Sequence, residues 1–292
     1  MTYILHTFLW LMAHFPLWML KGLSSFLAFL NWHVVHYRRK VVLANLQKAF
    51  PEKTLKERKR IAQKFYVQLC DYLLGLVRLR YNKSPMNNVL VIHKNPELLQ
   101  SLCERGKSCL LAMGHYFNWE YTNTAPLICS FQVVAAYSPL ESKFSDEMMT
   151  RCRTKHGVQM FPLKEVYRAL VKYQKEGKPT MALMVADQSP TVNNLNHWIT
   201  FMGQDTPVFT GVENIAKKLD QAVVFLKIKL PKRFVYEYEY ALITEQAIDK
   251  APLEITRQWY AELEKQVRQQ PELYLWSHRR WKHQDKKKLS PL

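Results

Sequence analysis

The chain has 292 residues, of which 48% are hydrophobic and 13% aromatic, with only 8 glycines and 14 prolines. This composition excludes a disordered or low-complexity protein and supplies enough apolar side chains for a buried core. Lysine and arginine outnumber aspartate and glutamate by 42 to 24, a formal net charge of +18, which predicts an anionic partner such as membrane phosphates, nucleic acid or an acidic carrier protein.

The chain begins with an apolar segment of about 36 residues that contains two hydrophobic stretches, 3–20 and 23–32. Neither a basic start nor a small-residue cleavage site is present, which argues against a secretory signal peptide. Pro16 interrupts the first stretch and Lys21 ends it, so a tilted membrane span and an interfacial anchor both remain possible. A third interpretation is an aromatic-rich pair of core helices in a soluble protein.

A basic cluster, Arg38-Arg39-Lys40, follows the apolar segment. Under the positive-inside rule it would lie on the cytoplasmic side of a membrane, with the rest of the chain in the cytosol. The five cysteines include no Cys-x-x-Cys pair, which agrees with a reducing compartment. We therefore predict an N-terminal membrane anchor or interfacial segment over 1–36 and one cytosolic catalytic domain over 37–292.

The rest of the chain alternates between helical and strand patterns. Thr54 and Glu57 have the spacing of a capping box, and apolar residues at steps of three or four then predict a helix over 54–80. Further on, short apolar runs alternate with helical stretches, and no linker or internal repeat interrupts them. This alternation predicts an α/β sheet. The apolar runs are 89–92, 109–113, 132–136, 181–186 and 222–230, and the helical stretches are 141–155, 164–175 and 210–219.

Several familiar active-site motifs are absent from the sequence. No Gly-x-Ser-x-Gly, P-loop or His-Glu-x-x-His pattern occurs, so serine hydrolases of that type, P-loop NTPases and zincins are excluded. The segment 113–120 remains, where a predicted buried strand is followed by a helix and where His115 and Glu120 lie five positions apart. Ligands of open α/β sheets bind at this end of the strands.

His115 and Glu120 would point about 140° apart on a continuous helix, so they must straddle the junction between strand and helix to meet. We predict that the Glu120 carboxylate folds back onto one imidazole nitrogen and thereby raises the basicity of the other. Such a pair takes a proton from an alcohol. The alternative is a structural histidine near the start of a helix.

The His115-x4-Glu120 pattern resembles the H-x4-D/E signature of glycerolipid acyltransferases. Its surroundings are similar to the lipid A late acyltransferases, the lauroyl and myristoyl transferases of Gram-negative inner membranes. The final matching segment is similar to homologues from Bacteroidetes-type bacteria. The resemblance extends through most of the chain, over Arg39, 45–46, 50–52, 114–120, 187–190, 201–204, 210–216 and 271–282.

The resemblance implies a single glycerolipid-acyltransferase-like domain with a central mixed sheet flanked by helices. It implies transfer of a fatty acyl chain from acyl carrier protein or coenzyme A to a hydroxyl of a lipid A precursor, with no cofactor and no metal. The expected partners are anionic membrane lipids, acyl carrier protein and the lipid A precursor, and the expected location is the cytoplasmic side of the inner membrane. The resemblance implies that His115 and Glu120 are the catalytic residues. It implies that the substrate-binding residues are Asn118, Arg151, Arg153, Asp187 and Gln188.

Three of these binding residues have an open alternative. The family's phosphate-binding role points to Arg151 and Arg153, which are otherwise interpreted as a solvated helix face. Asp187 follows the apolar run 181–186, so the strand would deliver it to the same sheet edge as His115. The alternative for Asp187 is a turn-forming residue before Ser189-Pro190.

Two rival functions remain. A lysophospholipid or aminolipid acyltransferase would use the same histidine and glutamate on a smaller acceptor, and nothing in the sequence decides the acceptor. A basic RNA-binding protein is suggested by the segment 279–288, where aromatic residues alternate with cations. The chain has no RNP1-like block and no Gly-x-x-Gly clamp, so nucleic acid is not the expected partner.

Overall fold

The fold is described from a computed structural model, in which residues 2–81, 90–139 and 141–289 are defined. In these ranges helices and strands alternate after an all-helical N-terminal part. The helices are α1 (Thr2–Ala13), α2 (Leu17–Leu30), α3 (Arg39–Ala49), α4 (Leu55–Tyr81), α5 (Glu97–Glu104), α6 (Lys143–Arg153), α7 (Val166–Lys175), α8 (Gly211–Leu219) and α9 (Glu254–Gln269). The strands are β1 (Leu90–His93), β2 (Cys109–Met113), β3 (Gln132–Tyr137), β4 (Gln159–Pro162), β5 (Thr180–Val185), β6 (Trp198–Phe201), β7 (Gln204–Pro207), β8 (Ala222–Lys232) and β9 (Val235–Thr244).

Seven strands form the central sheet in the order β1-β9-β8-β2-β5-β3-β4. Strand β2 lies in the middle and pairs in parallel with β5 and β8, whereas β8 and β9 pair antiparallel. All five residues of β2 are buried, because a central parallel strand is covered by helices on both faces. The predicted mixed sheet flanked by helices is confirmed, and each predicted apolar run contains a strand, although Val89 lies outside the described residues.

Strand β9, which links β1 to the rest of the sheet, was not predicted from the sequence. Tyr236, Tyr238 and Tyr240 are buried along one face of this strand, while Glu237 and Glu239 alternate with them. A period-two alternation of this kind is typical of a half-buried strand. It differs from the continuous apolar runs by which the other strands were predicted.

Helix α4 begins with the predicted capping box. The backbone N–H of Thr54 donates to Oε2 of Glu57 at 2.7 Å, and the N–H of Glu57 donates to Oγ1 of Thr54 at 3.3 Å. These bonds satisfy backbone groups that a helix start would leave free. From this start the helix runs 27 residues and stacks Tyr72 on Phe117, which follows strand β2.

Helices α1 and α2 are separated at Pro16 and pack against α4. Arg78 of α4 donates to the backbone oxygen of Phe15 at 2.8 Å, and Arg233 joins the backbone oxygen of Lys21 to the buried carboxylate of Asp71. Within the residues described, no helix combines the length and the apolar character needed to cross a membrane.

Candidate active site

The ends of strands β2 and β5 bring two ionisable side chains to one place. Met113 and Val185 are paired in the last register position of the two strands. His115 and Asp187 each follow two residues later, and because the strands are parallel both lie at the same edge of the sheet. The prediction that Asp187 lies beside His115 is confirmed.

Asp187 makes two bonds to His115. Its Oδ1 lies 2.5 Å from Nδ1 of the imidazole and 2.9 Å from the backbone nitrogen of His115. The second imidazole nitrogen, Nε2, lies 3.0 Å from the side-chain nitrogen of Gln188. The partners assign the neutral tautomer: Nδ1–H donates to the carboxylate, and Nε2 accepts from the amide.

The two side chains of this pair differ in how much of their surface is exposed. The Asp187 side chain is 2% exposed, whereas that of His115 is 19% exposed. Burial by itself raises the pKa of Asp187, but the positive charge that His115 carries when it is protonated, the two hydrogen bonds from His115 and the charge of Arg280 outweigh it, so this pKa is lowered. The carboxylate is therefore ionised at neutral pH and faces an imidazole that solvent reaches.

Gly114 allows this close approach. A Cβ atom at that position would lie 2.7 Å from Cδ1 of Leu263 and 3.3 Å from Oδ2 of Asp187. The first distance is shorter than two carbon atoms tolerate, so a larger residue at this turn would have to displace the buried side chain of Leu263.

Glu120 does not form the predicted hydrogen bond with His115. Its carboxylate accepts from Arg153 through two bonds, Nε to Oε2 at 2.8 Å and the terminal nitrogen to Oε1 at 2.6 Å. Glu120 is only 4% exposed, and a buried carboxylate requires a paired cation. The predicted His115–Glu120 hydrogen bond is wrong because Asp187 occupies Nδ1 and Arg153 occupies Glu120.

Trp119 connects the two pairs. Its ring meets that of His115 edge-on with centroids 5.0 Å apart, and it stacks on Phe117 and Tyr72. Tyr72 also hydrogen-bonds the Glu120 side chain, so the aromatic cluster beside the imidazole extends to the Glu120–Arg153 pair.

Of the three remaining residues predicted to bind substrate, one contacts His115, one is fully buried and one is exposed to solvent. Gln188 contacts His115 as described. Asn118 has no exposed surface; its side chain accepts from the N–H of Glu120, and its carbonyl accepts from the hydroxyl of Tyr238. Arg151 is exposed and pairs with Glu147 on its own helix, which matches the solvated-face alternative.

Arg280 and His278, which lie close to Asp187, were not predicted from the sequence as site residues. The guanidinium of Arg280, which is 1% exposed, donates to the hydroxyl of Tyr260 at 3.0 Å and to the Ser189 hydroxyl at 3.3 Å. His278 accepts the N–H of Ser189 at 3.2 Å, and burial lowers the pKa of His278 to about 4, so it is neutral. The segment 271–282 signalled these residues through the family resemblance, but nothing in the segment indicated that they pack under the site.

An imidazole with an ionised carboxylate on one nitrogen and a hydrogen-bond-accepting second nitrogen is the arrangement of a general base. Among the described residues, no group of three histidine, cysteine, aspartate or glutamate side chains is arranged to hold a metal ion. The chain is thus an α/β protein with this histidine–aspartate dyad at the carboxyl ends of two parallel strands.

Comparison with known proteins identifies the family. Residues 1–283 match the model of the bacterial lipid A biosynthesis acyltransferases, so the chain belongs to that family and is an acyltransferase. A lipid A biosynthesis acyltransferase of Haemophilus influenzae is 21% identical over 271 residues, which cover 92% of this chain and 83% of the relative.

Proposed function

We propose that this protein moves a fatty acyl chain from a thioester, on acyl carrier protein or coenzyme A, to a hydroxyl of a lipid A precursor. Membership of the lipid A biosynthesis acyltransferase family supports the reaction and the acceptor class. The observation that carries the mechanism is the bond between His115 and Asp187, which leaves Nε2 as the accepting nitrogen of a side chain that is 19% exposed.

In this mechanism the acceptor hydroxyl replaces the amide of Gln188 as the hydrogen-bond donor to Nε2 of His115. The imidazole takes the hydroxyl proton while the acceptor oxygen attacks the thioester carbonyl carbon. Asp187 stabilises the imidazolium that forms. The tetrahedral intermediate then expels the thiolate, which takes the proton from the imidazolium, so the acyl-oxygen bond replaces the acyl-sulfur bond and the base is restored.

Glu120 has a different role from the one first expected. Because both of its oxygens bind Arg153, we assign it as a positioning residue that holds this guanidinium, with Asp187 taking over as the partner of the base. The H-x4-E pattern then marks one reactive residue, His115, and one residue that acts through an arginine.

The N-terminal part supports a proposal of membrane association. Helices α1 and α2 bury one side against α4, and the other side carries large exposed apolar residues, an arrangement that marks interaction surfaces. Interfacial helices of this kind combine an apolar face with nearby cations, and the basic residues 38–40 follow directly. The exposed residues are Ile4, Leu5, Phe8, Trp10 and Leu11 of α1, Trp18, Phe26, Leu27 and Phe29 of α2, and Val34 and Val35 in the helical turn that follows α2. We propose that these helices lie on the cytoplasmic surface of the inner membrane.

Replacing Trp18 and Phe26 with aspartate is expected to release the protein from vesicles. The two side chains are 73% and 57% exposed and lie on one face of α2, so their replacement removes apolar contact with lipid without disturbing the core. The vesicle-bound fraction, measured by co-sedimentation with phosphatidylethanolamine–phosphatidylglycerol vesicles, should correspond to binding weaker by on the order of tenfold or more. Ile248→Asp, at a 64% exposed position elsewhere, is the matched control.

Equal binding of the Trp18/Phe26 variant and the Ile248 control would contradict the interfacial proposal. Deletion of the first 30 residues is a poorer test, because Ala13 and Leu20 are buried against the body. Their removal would expose the α4 surface and confuse loss of an anchor with loss of folding.

Mass spectrometry of lipid A, from cells with and without this protein, tests the acceptor. We expect lipid A from cells that have the protein to carry one additional acyl chain, and the His115→Ala variant to leave that chain missing. If lipid A is unchanged and phospholipid or aminolipid acylation follows the protein instead, the lysophospholipid or aminolipid alternative replaces this proposal.

A further inference from the structure

A single C-terminal segment, residues 273–280, contacts the loop that carries the histidine of the dyad. We call this segment the strap. The backbone N–H of Leu275 donates to the carbonyl oxygen of His115 at 3.0 Å. The N–H of Phe117 donates in turn to the carbonyl oxygen of Leu273 at 2.8 Å. These two bonds fix the backbone of the histidine loop against the strap.

The strap also contacts the loop that carries the aspartate of the dyad. Ser189 follows Asp187 by two positions, and its backbone N–H donates to Nε2 of His278 at 3.2 Å. The hydroxyl of Ser189 donates to the carbonyl oxygen of Arg280. Both loops of the dyad are thus bound to one segment, so the position of the strap affects how the two side chains meet.

Two side chains of the α3 region bind three consecutive carbonyl groups of the strap. The side-chain amide of Asn45 donates to the carbonyl oxygen of Trp276 at 2.8 Å and to that of His278 at 2.7 Å. Arg38, which precedes α3, donates to the carbonyl oxygen of Ser277 at 3.0 Å. The strap forms turns and bends at these residues. Side chains therefore satisfy carbonyl groups that no helix or sheet ladder bonds.

Asn45 lies on a face of α3 where packing alone would favour an apolar residue. The other buried residues of this helix are Val42, Leu46 and Ala49, which share one face with Asn45 because they lie one, three or four positions from it. Asparagine is a poor helix former, and burying its amide without partners would cost free energy. Asn45 is 6% exposed, so its two bonds to the strap explain why a polar side chain is tolerated there.

We infer that Asn45 is a positioning residue for the dyad: it holds the strap, and the strap sets the geometry between His115 and Asp187. The effect on rate rests on the proposed acyl transfer. The inference goes beyond that proposal by giving a role to a residue of α3 that acts through the backbone of the strap rather than on a substrate. A misplacement of about 1 Å can cost on the order of 10²-fold in rate, so a small movement of the strap is enough.

Kinetics of Asn45→Leu test this inference. Leucine is similar in size to asparagine and suits the apolar face of α3, but it donates no hydrogen bond to the strap. We expect kcat to fall on the order of tenfold or more, with KM within about threefold of wild type, because the surfaces that bind the substrates are unchanged. Thermal unfolding of the same preparation measures the accompanying loss of stability.

Asn95→Leu is the matched control. Asn95 also binds backbone through its side-chain amide, which donates to the carbonyl oxygen of Tyr240 at 2.8 Å. Tyr240 belongs to β9, which β8 separates from β2, so this control is expected to lower the Tm and to keep kcat within about threefold of wild type. If Asn45→Leu also lowers the Tm and keeps kcat, Asn45 only stabilises the fold and the inference is wrong.

Asn45→Ser covers the case in which the leucine variant does not fold. It removes the amide that binds both carbonyl groups but leaves a smaller polar side chain in the buried position. We expect a loss of kcat of about threefold or more, again with little change in KM. A folded Asn45→Ser protein with the kcat of the wild type overturns the inference.

A proton NMR measurement tests the geometry of the dyad without acyl transfer. The proton between Nδ1 of His115 and Oδ1 of Asp187, which lie 2.5 Å apart, is expected to resonate far downfield because the hydrogen bond is short and charge-assisted. Histidine labelled with ¹⁵N, and the loss of the signal in His115→Ala, assign this resonance. We expect Asn45→Leu to shift or broaden it and Asn95→Leu to leave it unchanged.

The NMR result separates this inference from the proposed reaction. A changed resonance in Asn45→Leu alone would support the positioning role even if the protein transfers no acyl chain to lipid A. An unchanged resonance in Asn45→Leu would overturn the role even where acyl transfer is observed.

Discussion

Replacing His115 with alanine is expected to lower kcat by about 10²- to 10⁴-fold, the usual contribution of a general base. The side chain is 19% exposed, so its loss leaves no large cavity in the core. Asp187 keeps the backbone N–H of residue 115 and the nearby charge of Arg280, which limits the penalty of an unpaired buried carboxylate. The variant should therefore fold.

Steady-state acyl transfer, measured beside the thermal unfolding of the same preparation, checks this prediction. His115→Gln is the companion variant, because an amide can donate a hydrogen bond to Asp187 but cannot act as the base. If either variant retains activity within threefold of wild type while folding normally, His115 is not the base.

Replacing Asp187 with asparagine is expected to be nearly as damaging, with kcat reduced on the order of 10²- to 10⁴-fold. The neutral amide no longer stabilises an imidazolium, and its NH₂ group can turn toward Nδ1 and favour the wrong tautomer. The volume of the side chain is unchanged, so the effect reports charge and hydrogen bonding rather than packing. Measuring kcat over a pH series shows whether the proton-transfer step is the one affected.

Glu120→Gln is the variant that distinguishes the two possible partners of the base. In the structure Glu120 binds Arg153, so losing its charge should weaken the hold on that guanidinium and raise KM more than it lowers kcat. Breaking a buried ion pair is also expected to reduce the free energy of unfolding by about 3 kcal/mol or less, since the Arg153 side chain is 30% exposed.

The opposite ranking would contradict this assignment. If Glu120→Gln lowered kcat as much as His115→Ala did, while Asp187→Asn stayed close to wild type, the His–Glu pair predicted from the sequence would describe the mechanism better. Arg153→Lys provides a further comparison, because a lysine keeps a positive charge beside Glu120 but cannot reproduce the two parallel hydrogen bonds that the arginine donates.

The sequence contained the framework of the site. Continuous apolar runs predicted β2 and β5, because strands buried on both faces leave no room for polar residues. Since parallel strands end at the same edge, the runs also predicted that His115 and Asp187 would lie together. In the structure Nδ1 of His115 lies 2.5 Å from Oδ1 of Asp187. Strand β9 was missed because its alternating tyrosines and glutamates do not form such a run.

The hydrogen-bond partners were decided by the tertiary structure. Spacing along the chain predicted Glu120 as the partner of His115, but Arg153 lies 33 residues from Glu120 and reaches it because α6 packs against the 3₁₀ helix Trp119–Leu127, which contains Glu120. Asp187 lies 72 residues from His115. A buried carboxylate binds the cation or donor that packing brings nearest, since leaving water without a partner costs several kcal/mol. The sequence by itself therefore determined the family, the sheet and the position of the histidine that we propose as the base, whereas the packing of α6 and β5 decided that Asp187 binds this histidine and that Glu120 binds an arginine.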